Sequence, residues 1–108
     1  MTWVAQFALT RPDEPEPTRF TLEEGALLIG RTEPAELCIP VMQMSREHLW
    51  LRVHTDGGVT IQDAGSTSGI FVDEQQIANR IVCITSANVV KFGGVTLRLI
   101  EASDDRTA

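Results

Sequence analysis

Residues 45–72 read SREHLWLRVHTDGGVTIQDAGSTSGIFV, and this stretch decides the fold. Leu49, Leu51 and Val53 alternate with Trp50 and Arg52. That is the period of a strand with one face on a core and the other toward solvent. Asp56-Gly57-Gly58 interrupts it. Asp-Gly and Gly-Gly reach positive φ at little steric cost, so the chain is expected to reverse there into a second strand, Val59–Asp63. A loop of small residues, Gly65-Ser66-Thr67-Ser68-Gly69, leads to a third short apolar run, Ile70–Val72. Strands this short, separated by glycine turns, leave no room for a helix.

The same grammar extends outward. Trp3–Leu9 alternates and ends at Thr10-Arg11-Pro12, and the acidic, proline-rich segment from Pro12 to Pro17 reads as a loop. Arg19–Leu22 and Ala26–Gly30 flank Glu23-Glu24-Gly25, a hairpin-like turn. Leu37–Ile39 is a short run stopped by Pro40, and Glu33–Leu37 has room for one helical turn at most. Toward the C-terminus, Ile81–Ile84, Asn88–Phe92 and Val95–Ile100 complete the strands, the last two joined by a Gly93-Gly94 hairpin. Many short strands with glycine turns predict an all-β sandwich or barrel. One domain over residues 1–102 is expected, with a polar, flexible tail at 103–108.

Bulk properties narrow the function. The chain has 108 residues, enough for one core without metal or disulfide staples. Fifteen acidic residues face nine basic ones, a net charge of −6, and Lys91 is the only lysine. Such a chain repels nucleic acid and anionic membranes, so neither is expected as a partner. Cys38 and Cys83 are too few for a disulfide framework; their apolar neighbours predict buried thiols in a reducing compartment. No basic leader with an apolar stretch and no spanning run is present, so a soluble, cytoplasmic protein is expected.

Three loops carry the chemistry: Gly30-Arg31, Ser45-Arg46-Glu47-His48, and residues 63–69 from Asp63 to Gly69. A phosphate needs guanidinium groups for planar two-point contact and short hydroxyls that donate from close range. It also needs backbone N–H groups unobstructed by side chains, which glycine permits. Arg31, Arg46, Ser45, Thr67 and Ser68 supply that inventory, beside Gly30, Gly65 and Gly69. The bland alternative is two solvated surface arginines and an ordinary turn.

The ordered set Gly30-Arg31, Ser45-Arg46-x-His48, Asp63-x-x-Ser66-x-x-Gly69 resembles the signature of the forkhead-associated (FHA, SMAD/FHA-type) domain family. The apolar frame matches from Phe20 to Ile100, including Leu28-Ile29, Ile70-Phe71-Val72 and Val89–Gly93. The resemblance implies a β-sandwich of about eleven strands in two twisted sheets, with recognition loops at one end. It also implies a monomeric phosphothreonine-binding interaction module in Ser/Thr-kinase signalling, with a threonine-phosphorylated protein or peptide as partner. Neither catalysis, cofactor nor metal is expected.

By resemblance, Arg31 grips the phosphate and the Ser45 hydroxyl bonds a phosphate oxygen. Arg46 adds a further contact, and Thr67 contributes its hydroxyl or backbone N–H. Ser68 stands where the family usually has Asn, whose side chain holds the ligand backbone. His48 matches a histidine that braces the loops, and Gly30, Ser66 and Gly69 look architectural. Family members place the threonine methyl in a small pocket, and the loop from Pro40 to Met44, Gln43 above all, bears on preference further along the ligand.

The chain departs from the family at several positions. Ser68 loses the two-ended amide and so weakens the expected anchoring. Ile70 replaces a commoner Thr or Ser, Asp73-Glu74 replaces Asn-Gly, and Ala87-Asn88 replaces Gly-Asp. An alternative of the same fold is a phosphate-independent docking or scaffolding module. An enzyme built on Ser45, His48 and Asp63 lacks the Gly-x-Ser-x-Gly elbow, and His48, His54, Cys38 and Cys83 lack metal-ligand spacing.

Overall fold

The computed structural model describes residues 2–104. The alternation seen in the sequence becomes eleven strands among these residues. They are β1 (Trp3–Thr10), β2 (Thr18–Glu23), β3 (Gly25–Gly30), β4 (Leu37–Cys38), β5 (Leu49–Val53) and β6 (Val59–Asp63). There follow β7 (Ile70–Val72), β8 (Gln75–Ile77), β9 (Val82–Ile84), β10 (Val90–Phe92) and β11 (Val95–Asp104). One sheet runs β2-β1-β11-β10-β7-β8 and the other β4-β3-β5-β6-β9. The pairs are antiparallel except β3 with β4.

The inward positions of both sheets meet in one core. Phe7, Leu9, Phe92, Val95 and Leu97 come from the six-stranded sheet, and Ile29, Leu49, Leu51, Val53 and Ile61 from the five-stranded one. Each such side chain stabilises the fold by about 1.5–3 kcal/mol through removal from water. Trp50 and Arg52 face away from this core, as the alternation requires. Phe20 of β2 stacks on Phe7 with ring centroids 5.2 Å apart.

Several expectations are corrected. Glu23-Glu24-Gly25 is a crossover, not a hairpin: β2 pairs with β1, whereas β3 joins the other sheet. Glu24 stays with β1, its N–H donating to the Trp3 carbonyl (3.2 Å) and its carboxylate accepting from the Trp3 N–H (2.8 Å). Gly25, at φ 136°, then turns the chain to the second sheet. The segment at Glu33–Leu37 is a turn closed by the Ala35 N–H on the Thr32 carbonyl (3.0 Å), with no helix. β11 runs to Asp104, two residues past the expected boundary, because Val4 and Trp3 pair with Ser103 and Asp104. The rest of the expected tail, 105–108, lies outside the described residues.

Both cysteines are exposed, contrary to expectation. Period two explains it: Leu37 and Ile39 turn inward around Cys38, and Val82 and Ile84 around Cys83. β4 and β9 are opposite edges of the five-stranded sheet. Four strand spacings, about 19 Å, separate them, far too much for a disulfide.

Turns alternate between the two ends of the sandwich. The loops after β3, before β5, between β6 and β7, and at Gly93-Gly94 gather at one end. Asp56-Gly57-Gly58 and the Asp73-Glu74 turn lie at the other. There the Trp3 ring covers Gly57, where an added Cβ would stand 2.6 Å from it.

Candidate functional site

Gly30 ends β3 against the backbone of the next loop. A Cβ on Gly30 would collide with the Arg46 carbonyl, so glycine alone lets the two segments close. Once closed, they are stitched: the Arg31 N–H donates to the Ser45 carbonyl (2.9 Å), and the His48 N–H donates to the Ile29 carbonyl (3.0 Å). These bonds bring Arg31 beside Ser45 and Arg46 although fourteen positions separate Arg31 from Ser45 in the chain.

His48 fastens the third loop. Its ring is fully buried and packs edge-on to Phe92 at 5.4 Å. The Ser45 N–H donates to Nδ1 (3.1 Å), so the ring proton belongs on Nε2, which donates to the Gly69 carbonyl (2.9 Å). Both ring nitrogens thereby hold backbone. With both nitrogens engaged by backbone, the ring has none left to take a proton from the Ser45 hydroxyl.

Asp63 shapes the loop from within. Its carboxylate accepts from the N–H groups of Gly65 (2.9 Å) and Ser66 (2.6 Å) and from the Ser66 hydroxyl (2.9 Å). The Ser66 oxygen in turn accepts from the Gly69 N–H (3.0 Å). Gly69 sits at φ 86°, and a Cβ there would meet the Gln76 amide at 2.6 Å. Ser66 thus links the Asp63 carboxylate to the Gly69 N–H, and Asp63 is the centre of the network that sets the loop's shape.

What remains faces an open groove of 580 Å³ lined by Arg31, Ser45, Arg46, Thr67 and Ser68 together. Among the described residues neither Arg31 nor Arg46 has an ion-pair partner, whereas Arg11 contacts both Asp13 (3.1 Å) and Glu14 (3.7 Å). The Arg11 side chain holds the Asp13 carboxyl below its ordinary value by hydrogen bonding. The Ser45 oxygen accepts from the Thr67 N–H (2.9 Å), which leaves the Ser45 O–H free to donate into the groove. That bond also commits the Thr67 backbone, so Thr67 offers its hydroxyl. The Ser68 O–H donates to the Gln43 carbonyl (3.2 Å).

Sequence reasoning gave three of the groove's lining residues, Met42, Glu47 and Ala64, no individual role there, though it named Gly65. Met42, 91% exposed, lines the groove with Glu47, Ala64 and Gly65. A residue's place on a loop rim depends on where neighbouring loops stand, and nothing local in the sequence signals it. A smaller recess of 190 Å³ adjoins the groove and shares Gln43 and Ser68 with it. Among the described residues no group of three or more metal-binding side chains converges, and no helix is long and apolar enough to cross a membrane.

Comparison with known proteins agrees with this architecture. Residues 16–103 match the sequence family described as the inner membrane component of T3SS, cytoplasmic domain. The FHA domain of the CT664 protein from Chlamydia trachomatis superposes with a TM-score of 0.80 at 20% identity, covering 94% of this chain and 98% of that one. Full-length yeast Pml1p superposes with a TM-score of 0.76 at 18% identity, covering 94% and 83%. A domain studied for phosphothreonine-dependent FHA interactions gives 0.72 at 23% identity, covering 87% and 94%. These likenesses establish the forkhead-associated fold. No curated protein is significantly similar in sequence.

Proposed function

The chain belongs to the family of the inner membrane component of T3SS, cytoplasmic domain, on the forkhead-associated fold, and from that premise we propose a phosphothreonine-binding interaction module. The observation that carries the reading is convergence. In a chain of net charge −6, two arginines without carboxylate partners among the described residues share one open groove with three hydroxyl side chains. A phosphoryl group with about −1.5 to −2 charges matches that arrangement. Arg31 and Arg46 neutralise it, and the O–H groups of Ser45 and Thr67 donate to its oxygens. Every group comes from one chain, so a monomer suffices. One similar domain is described for phosphothreonine-dependent interactions, which supports the same ligand class here.

Calorimetric titration with phosphothreonine peptides and their unphosphorylated counterparts tests this. Binding should require the phosphate and weaken as salt rises. Arg31→Ala should weaken it about 100-fold or more, since two charge-assisted bonds of about 1.5–3 kcal/mol each are lost, with the melting temperature preserved. Equal binding of both peptide forms would sink the proposal.

A second reading, docking independent of phosphate, draws on the outer face of the five-stranded sheet. Ile81 is 62% exposed there, beside Trp50 and Arg52 around a recess of 210 Å³. Partner binding that survives Arg31→Ala would favour it.

A further inference from the structure

We propose that the outer face of the six-stranded sheet docks an acidic segment of a partner protein, held chiefly by Arg19 and Arg98 with Lys91 at its edge. The surface lies outside the phosphate groove and on the other sheet from Trp50 and Arg52, so it stands apart from both readings above.

Strand register builds the surface. Ala8 of β1 pairs with Arg19 of β2 on one side and with Arg98 of β11 on the other. Phe7, Leu9, Leu97 and Leu99 are buried, so alternation turns Ala8 and Arg98 outward, and Arg19 with them. Lys91 of β10 lies between buried Val90 and Phe92 and pairs with Thr96, two positions before Arg98, so it shares the face. Two strand spacings put the Arg19 and Arg98 Cα atoms about 10 Å apart, and Lys91 stands about 8 Å from Arg98. Ala8 and Thr96 are short, which keeps the floor between these long side chains low.

The three cations are exposed, and none has an ion-pair partner among the described residues. Arg98 makes one long bond, to the Ser86 carbonyl at 3.4 Å. Asp73 and Glu74 border a recess with Lys91, but the Asp73 carboxylate is already bonded to the Asn88 amide and the Val89 N–H. The carboxylates of the neighbouring strands, Glu23 and Glu101, sit opposite Val4 and Gln6, toward the other end of β1. Charge and shape then decide the occupant. A guanidinium takes a carboxylate in a planar two-point contact. Alternate side chains of an extended segment stand about 7 Å apart on one face, so two carboxylates reach both arginines. Nucleic-acid sites neutralise more phosphates than three cations serve, and Glu23 and Glu101 repel the plane of an anionic membrane.

The probe is a fluorescein-labelled peptide of alternating Glu and Thr, read by polarisation at low salt beside a Gln-and-Thr peptide of equal length. The domain should bind the first and not the second, and added salt should weaken it. Arg19→Ala combined with Arg98→Ala should weaken binding about tenfold, whereas Arg31→Ala should change it less than twofold. In the unmodified domain, amide chemical shifts should move on β2, β1 and β11, a readout that needs no variant to fold. Equal binding of the Gln peptide, shifts confined to the phosphate groove, or undiminished affinity in the double variant would overturn the proposal. Tighter binding of oligothymidylate or of phosphatidylserine vesicles would overturn it too. The double variant should bind phosphothreonine peptides as the unmodified domain does, and loss of that binding would mean the two surfaces are one.

Discussion

The two ends of the sandwich are built differently. At the recognition end, positions that need glycine have it, and the buried polar groups are paired. Gly30 admits the Arg46 carbonyl, Gly69 takes φ 86°, and His48 spends both ring nitrogens on backbone. At the opposite end the β7–β8 hairpin closes through Asp73 and Glu74 at φ 48° and 71°, two side chains in a region that favours glycine. Asp73 offsets part of that by accepting from the Val89 N–H (2.8 Å) and the Asn88 amide (2.6 Å). The first of these bonds, then the second, holds its carboxyl below the ordinary value. Its contribution is therefore present above the usual carboxylate pKa and is lost as pH falls through the lowered folded value. The contrast teaches where precision matters. On the proposed function, one end must align groups from three loops on a ligand, whereas the β7–β8 turn need only return the chain.

The strongest test of that contrast is His48→Ala. It strands the Ser45 N–H and the Gly69 carbonyl and opens a cavity beside Phe92. Denaturant unfolding should show a loss of about 3–5 kcal/mol. A loss below about 1 kcal/mol would mean the recognition end is held mainly by something else. Next comes Gly30→Ala, which forces the Arg46 carbonyl aside. About 1–3 kcal/mol should go, together with phosphopeptide affinity, because Arg31 and Ser45 move with it. The smallest effect, and the only gain, is Glu74→Gly. Relief of the left-handed conformation should add about 1 kcal/mol in the same unfolding assay and leave peptide affinity unchanged. A stabilised variant with weaker binding would show that the two ends are coupled.

Most of the fold was legible because burial leaves a period of two. Leu49, Leu51 and Val53 read as a strand without any partner in view. β8 was not legible: Gln75-Gln76-Ile77 is an edge strand with one buried side chain, so it carries no alternation. The cysteines were misread from their apolar neighbours, when the same alternation would have turned them outward. At the site, the ordered spacing of Gly30-Arg31, Ser45-Arg46 and Asp63 to Gly69 marked loops that the fold brings together around one groove. It could not reveal that the Thr67 N–H is taken by Ser45 or the Ser68 hydroxyl by Gln43. Those bonds span 22 and 25 positions and exist only once the loops stand side by side.

The Trp3 ring over Gly57 has an optical consequence. The chain contains no tyrosine and two tryptophans, and neither indole lines the groove. Emission from Trp3 reports whether the far end is still closed, and that from Trp50 reports the outer sheet face. A ligand entering the groove should therefore leave intrinsic fluorescence nearly dark to its arrival, and the same light remains a clean monitor of unfolding.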